Sequence, residues 1–311
     1  MTPTLQPLNI GGILDRAVQI LRGNFPLFAG LALFPGVAQL AMQLTSVHPA
    51  TITDPSGGHI LLVLASYVAS LFFTVANLVL QAVAMAAMSL AASKVMFGEP
   101  TSIRTAFNAF SSKKGRLVGL ELLQGLYSGW PMILVCIFAV VVAVFASSPY
   151  IMVTILVLGS IPCIILYTRY ALAFPACAIE NLTAGSAIDR SVKLSEGGRW
   201  RIFGGILFPG IAAGGFSGGS ILLIESMRTH IGWLASHPMA VAGVNGAISL
   251  FADVIFIPVS ALVLTVLYYD QRIRREGYDI EKMMEGAGLS APRSSPSGDI
   301  PIAPVVEESN S

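Results

Sequence analysis

"ILLVLASYVASLFFTVANLVLQAVAMAAMSLAASKVMF", residues 60–97, runs for 38 residues with no proline, no glycine and one charge, Lys94. A chain in hydrocarbon must satisfy its backbone hydrogen bonds within itself, so an apolar stretch of this length without a turn signal has to be helical. As one helix it would rise about 57 Å at 1.5 Å per residue, well beyond the roughly 30 Å of a bilayer's hydrocarbon core. This stretch therefore sets the fold: it is a spanning helix that must tilt or protrude.

The rest of the chain follows the same composition. Of its 311 residues 54% are hydrophobic and 11% charged, and the mean hydropathy is +0.74, whereas an ordinary soluble domain is about 25% charged. Six stretches are long and apolar enough to cross a bilayer: about Phe25 to Thr45, Ile60 to Ala91, Leu117 to Ala146, Tyr150 to Ala171, Ile202 to Ile224 and Met239 to Tyr269. The first is expected to be retained, because it follows a segment bearing Asp15, Arg16 and Arg22 and lacks a small-residue cleavage site. The formal net charge of +1 supplies no basic excess to attract nucleic acid.

Where the basic residues sit gives the orientation. Of the 18 lysines and arginines, all but Arg228 fall before span one, between spans two and three, around the connection between four and five, or after span six. By the positive-inside rule those segments are cytoplasmic. The expected organisation is a cytoplasmic amphipathic N-terminal helix over 1–24, a six-helix transmembrane domain over 25–270, a cytoplasmic juxtamembrane segment over 271–286 and a disordered tail over 287–311, whose serine, proline and glycine content cannot build a core.

Part of the pattern is repeated. "ILDRAVQILRGNFPLFAGLALFPG" (13–36) and "AIDRSVKLSEGGRWRIFGGILFPG" (187–210) agree at nine of twenty-four positions, including Asp15 with Asp189, Arg16 with Arg190, and Leu33-Phe34-Pro35-Gly36 with Leu207-Phe208-Pro209-Gly210. A weaker middle copy begins near Thr101. The unit reads as a short amphipathic elbow helix followed by two spans, used three times; the alternative is low-complexity apolar sequence. In the first copy Asn9 can cap a helix with Ile10, Ile13, Leu14, Ala17, Val18 and Leu21 on one face. Such a helix can lie in the headgroup plane with that face toward the lipid tails. Gly23-Asn24, and Gly197-Gly198 in the third copy, would let the chain turn into the bilayer. The fold class expected is thus all-α and polytopic, with six transmembrane helices, cytoplasmic amphipathic elbow helices and a threefold internal repeat.

Within the spans, Gly210, Gly214 and Gly218 form a small-residue stripe suited to close helix packing. Pro35, Pro131, Pro162, Pro209 and Pro258 each remove a backbone hydrogen bond. Ionisable groups in hydrocarbon are unfavourable and mark candidate sites. Asp253, five residues ahead of Pro258, is the foremost, and Glu121, Gln124 and Arg169 join it as an intramembrane polar set. For Asp253 an interhelical hydrogen bond and an ion or proton relay are both open. Glu121 and Arg169 can instead snorkel or pair at the cytoplasmic interface. His48, His59, His230 and His237 fall in outer loops without metal-ligand spacing. Cys136, Cys163 and Cys177 read as small core residues. No nucleotide, metalloprotease, esterase or dinucleotide motif is found, so neither enzymatic activity nor a cofactor nor a metal is expected.

At the C-terminal end of span six, Tyr268 and Tyr269 suit an interfacial belt, and Arg272, Arg274 and Arg275 would face anionic headgroups. "LNIGGILDRAVQILRGNFP" at the start, "FPACAIENLTAGSAIDRSVKLSEGGRW" in the middle and "YYDQRIRREGYD" at the end resemble a bacterial family of six-span proteins related to the membrane domain of some glycerophosphodiester phosphodiesterases. The resemblance covers most of residues 8–283. It implies a bacterial integral membrane protein, generally without an assigned biochemical role; with the basic flanks, the expected location is the cytoplasmic membrane with both termini inside. It does not imply hydrolysis, because the His-Arg and Glu-x-Asp signatures of the soluble catalytic barrel are missing. "GGRWRIFGGILFP" also resembles the segment by which transporter permeases dock an ATPase, without its Glu-Ala-Ala start. The expected role is a membrane scaffold or lipid-associated factor, with lipids and other membrane proteins as partners; the alternative is a transporter or permease subunit with Asp253 in the pathway.

Overall fold

The computed structural model describes residues 8–45, 57–110, 113–145 and 149–278, with 280 and 284. Among these every regular element is an α-helix: α1 (Ile10–Gly23), α2 (Phe25–Thr45), α3 (Gly57–Met96), α4 (Ile103–Asn108), α5 (Lys114–Phe145), α6 (Pro149–Tyr170), α7 (Ala173–Ile179), α8 (Ala184–Ser195), α9 (Arg199–His230), α10 (Gly232–Ser236) and α11 (Pro238–Glu276). The expected tail and His48 lie outside the described residues.

Six helical segments are long and apolar enough to cross a membrane: Phe25–Leu44, Ala65–Met96, Lys114–Val142, Thr154–Ile179, Arg199–His230 and Met239–Glu276. The 60–97 stretch is one unbroken helix, α3, of 40 residues, as its lack of breakers requires. All five intramembrane prolines sit inside helices rather than ending them.

Local chemistry sets the short elements. Asn9 caps α1 by accepting the Gly12 amide at 2.7 Å. Ser102 and Thr105 form a reciprocal capping box on α4. Thr183 caps α8, and Gly197, at φ +65°, turns the chain from α8 toward α9 in a backbone region that residues with a Cβ disfavour. Gly277, at φ +64°, closes α11.

The basic connections assemble at one end of the helices. The Leu8 amide donates to Asp270 at the end of α11. Ser93, late in α3, bonds Tyr269 at 2.7 Å, and Lys113, before α5, donates to Asn181 between α7 and α8 at 2.8 Å. Both described ends of the chain therefore share one end of the bundle, the end that carries most of the basic residues. The buried core is there too, built from Ile13, Phe28, Leu31, Met88, Leu117, Leu172, Leu194, Ile202, Leu262 and Leu267. α11 is its axis and packs against α2, α9, α1 and α3, while α5 and α6 pair chiefly with each other.

Three expectations are corrected by this packing. The apolar stripe of α1 is buried in the protein core rather than turned to lipid tails: Ile13, Ala17, Ile20 and Leu21 are all covered, because the Leu8–Asp270 bond holds the start of α1 on α11. Tyr268 and Tyr269 are likewise buried rather than set in a lipid-facing belt, since α3, α7 and α8 wrap the end of α11. The glycine stripe of α9 is not a packing face within the chain. A Cβ on Gly210, Gly214 or Gly218 would meet open space, whereas one on Gly205 would come within 2.8 Å of Leu267, one on Gly36 within 2.6 Å of Leu250 and one on Gly246 within 2.2 Å of Leu40. Close approach occurs where α11 meets α9 and α2; farther along α9 the contact with α11 is made by Phe216, against Phe251 and Phe256, and not by the glycines.

Candidate functional site

The four intramembrane polar residues divide between two places. Asp253, on α11, faces the Pro35-Gly36 segment of α2: a Cβ on Gly36 would lie 3.6 Å from the Asp253 Cβ and 3.9 Å from Oδ2. Ser249, one turn earlier, accepts from Gln43 Nε2 at 3.1 Å, and Gln39 Oε1 accepts from Asn77 Nδ2 of α3 at 2.6 Å. The Asp253 carboxylate makes no hydrogen bond or ion pair among the described residues, and Asn77 Oδ1 is buried without a partner. A polar stripe thus runs through α2, α3 and α11. Polar side chains in hydrocarbon bind one another across helices because no water competes.

Glu121, Gln124 and Arg169 belong instead to the α5–α6 pair. Glu121 is an electrostatic neighbour of Tyr167 on α6. Gln124 is buried with Oε1 unpartnered, as is Arg169 Nε. The Arg169 guanidinium lies 6.0 Å from the Tyr170 ring centroid.

The two elbow pairs also part company. Asp15 accepts from Gln19 at 2.8 Å on the exposed side of α1, and Arg16 sits half-buried beside it. Asp189 is exposed, but Arg190 enters the most developed ionic network of the structure. Its Nε donates to both Glu180 oxygens, at 3.0 and 2.9 Å. Its Nη2 reaches Glu180 at 2.9 Å and Glu276 at 2.8 Å, and its Nη1 pairs with Glu276 as well. Tyr268 donates its hydroxyl to Glu180. Arg272 donates to Glu276 at 3.2 Å and lies 4.1 Å from the Tyr278 ring centroid. Burial acts to lower the Arg190 pKa, but its bonds to Glu276 and Glu180 and the attraction of both carboxylates outweigh this and raise it, so the guanidinium stays charged.

A second knot surrounds Asp270, whose side chain is almost wholly buried. It accepts from the Leu8 amide at 2.9 Å, from Arg201 Nη1 at 3.3 Å and from Arg274 Nε at 3.0 and 3.1 Å. Arg274 Nη2 also donates to the Leu8 carbonyl at 3.0 Å. Arg116 and Lys113 both donate to Asn181 Oδ1, at 3.0 and 2.8 Å. Ser191 donates to the Arg169 carbonyl at 2.9 Å and accepts the Leu172 amide at 3.1 Å. Of the arginines expected at headgroups, Arg272 therefore turns inward, and Arg274 is tied to the protein.

Sequence reasoning passed over Glu180, Ser191, Asp270 and Glu276. All four stand in the two landmark segments, 174–200 and 268–279, but partners up to 262 positions apart have no signature in spacing. Among the described residues no group of three or more His, Cys, Asp or Glu could hold a metal ion. His237 stacks on Trp233 at 4.4 Å. The three cysteines are free. Comparison with family models, with curated proteins and with solved structures finds no match to this chain.

Proposed function

We propose that this polytopic membrane protein is a non-enzymatic scaffold or lipid-associated factor of the bacterial cytoplasmic membrane, working through lipids and neighbouring membrane proteins. One observation carries the reading: Glu180, Arg190, Asp270, Arg272 and Glu276 are bonded to one another or to backbone, and so serve to hold the connections together. In that network no nucleophile is poised against a base. The opposite half offers apolar side chains such as Leu71, Phe72, Ile137 and Leu222 to its surroundings, as lipid contact requires. Neither a cofactor nor nucleic acid enters this reading.

The finer architecture belongs to the same proposal. The basic end faces the cytoplasm, by the positive-inside rule, and α1 and α8 begin the first and third copies of a repeat of elbow helix plus two spans. Labelling of single cysteines placed at Lys113, Arg228 and Arg274 tests this orientation: Lys113 and Arg274 should react from one side and Arg228 from the other.

The function is tested by reconstituting the purified chain in liposomes. The expected result is no solute or proton flux, together with retention of bilayer lipid through purification; a flux would refute it. The unpaired Asp253 beside the α2–α3–α11 polar stripe favours a second reading, a transporter or permease subunit. On that reading Asp253→Asn abolishes a proton-coupled flux while leaving expression intact.

A further inference from the structure

Between the start of α9 and the end of α11, at the basic end, lies an open cleft of about 680 Å³. Gly197 and Gly198 form one side, and Gln271, Arg274 and Arg275 the other, with Trp200 and Arg201 at the rim. We propose that this cleft binds a phosphate group, and that its source is the headgroup of an anionic lipid.

Charge is the first argument. Arg201 and Arg274 share one carboxylate, Asp270, and Arg275 makes no hydrogen bond or ion pair among the described residues. Among the described residues, three guanidinium groups thus stand against a single buried acid, Asp270, in ion-pair reach, leaving a positive excess. Guanidinium forks match phosphate oxygens in geometry as well as charge.

An unmet donor is the second argument, independent of the first. Gln271 is only 2% exposed, yet its Nε2 has no acceptor among the described residues. Its amide lies over Gly198, where a Cβ would meet Oε1 at 2.5 Å and Nε2 at 3.0 Å. A buried donor left unpaired is unfavourable, and an anion in the cleft would satisfy it.

Backbone adds a third contribution. α9 runs for 32 residues and starts after Gly198 without a side-chain cap, so its first amides and the positive end of its dipole are open to an anion. A Cβ at Gly197 would meet Arg275 Nη2 at 2.6 Å; the two glycines keep the approach to guanidinium and helix end clear.

The surroundings point to lipid as the source. Trp200 is 85% exposed, at the level where tryptophan anchors spans in the headgroup region. From it Phe203, Leu207 and Ile211 follow at helical spacing down α9 and line an apolar cavity of about 490 Å³ against α5 and α6. A phosphate held in the cleft would leave its acyl chains at the head of that apolar strip.

This assignment rests on the lipid-associated reading above, and Arg275→Gln tests it, because Arg275 makes no hydrogen bond or ion pair among the described residues that its neutralisation would break. The full chain in detergent is titrated with phosphatidylglycerol, with diacylglycerol of the same chains and with inorganic phosphate. Native mass spectrometry reads the lipids and calorimetry the phosphate. Phosphatidylglycerol should bind in preference to diacylglycerol, and Arg275→Gln should weaken it about tenfold, the effect of losing one charge-assisted bond. Lys193→Gln, an exposed change outside the cleft, should leave binding as it was, and an unchanged melting midpoint shows that Arg275→Gln is folded. Equal phosphatidylglycerol binding by wild type and R275Q would overturn the cleft while sparing the lipid-associated reading. Binding of inorganic phosphate alone, lost in R275Q, would overturn lipid as the source and that reading with it. Binding of neither probe would overturn the site altogether.

Discussion

The two ends of this molecule are built on different principles. At the basic end, the short helices α1, α7 and α8 and the ends of α3, α5 and α11 enclose a dense core, and Glu180, Arg190, Asp270 and Glu276 lock it with long-range bonds. At the other end, α3, α5, α6 and α9 run on as helices with many exposed apolar side chains, and polar contacts between helices are few, such as Gln39 of α2 with Asn77 of α3. In water the second half would be untenable. In lipid it is the expected surface, since hydrocarbon outside a span is as apolar as leucine and nothing drives such helices together except packing and hydrogen bonds. The contrast teaches that ionic locking is concentrated at the basic end, whereas the far half is held by close packing of helix on helix, as where Leu40 lies against Gly246 and Val135 against Gly159.

This contrast is open to attack by mutation. The largest effect is expected from Asp270→Ala, which strips the acceptor from the Leu8 amide, Arg201 and Arg274 at once. Breaking a buried ionic cluster from one side should cost about 3 kcal/mol, with some relief because both arginines are partly hydrated, and a lowered thermal midpoint in detergent would register it. Arg190→Ala should follow at about 2 kcal/mol, since Glu180 and Glu276 lose their shared partner but keep partial access to water; the same melt measures it. Glycines sharpen the comparison at intermediate size. Gly205→Ala forces a methyl against Leu267 and should cost about 1–2 kcal/mol, whereas Gly214→Ala meets open space and should be neutral or slightly stabilising, because alanine is the better helix former. The smallest effect belongs to Arg228→Ala at the far end. Its pair with Glu225 is 40% and 62% exposed, so solvent screening should hold the change within about 0.5 kcal/mol. If Arg228→Ala melted the protein as Asp270→Ala does, the picture of one locked end would be wrong.

Much of the architecture was legible beforehand because its signals are local. The breaker-free run at 60–97 is α3, Asn9 caps α1 as its position requires, and Gly23-Asn24 stands where α1 gives way to α2. Gly197, read as a turn, has the positive φ that a turn there needs. Misreadings came where a local pattern has two possible neighbours. A small-residue stripe states that something can approach, but not what does, and a Cβ at Gly210, Gly214 or Gly218 would meet nothing within 4 Å among the described residues. A tyrosine pair next to arginines fits a lipid interface and a protein core equally; the short helices around α11 supplied the core. The polar candidates divide in the same manner. Asp253 stands out by its charge in an apolar run, but its setting against Gly36 and the Gln43–Ser249 bond depends on which helix lies beside α11.

Sequence alone determined the number of spans and the gathering of basic residues at one end, because the free energy of placing a segment in hydrocarbon is close to a sum over its own side chains. Tertiary structure alone decided that Arg190, rather than Arg16 at the matching place in 13–36, closes a network with Glu180 and Glu276, that Arg272 turns inward, and that Arg275 lines a cleft beside Gly197 without an ion pair among the described residues. Ionic pairing and close packing depend on which helix ends meet in space. Arg190 and Glu276 lie 86 residues apart, and no periodicity within either helix carries that information.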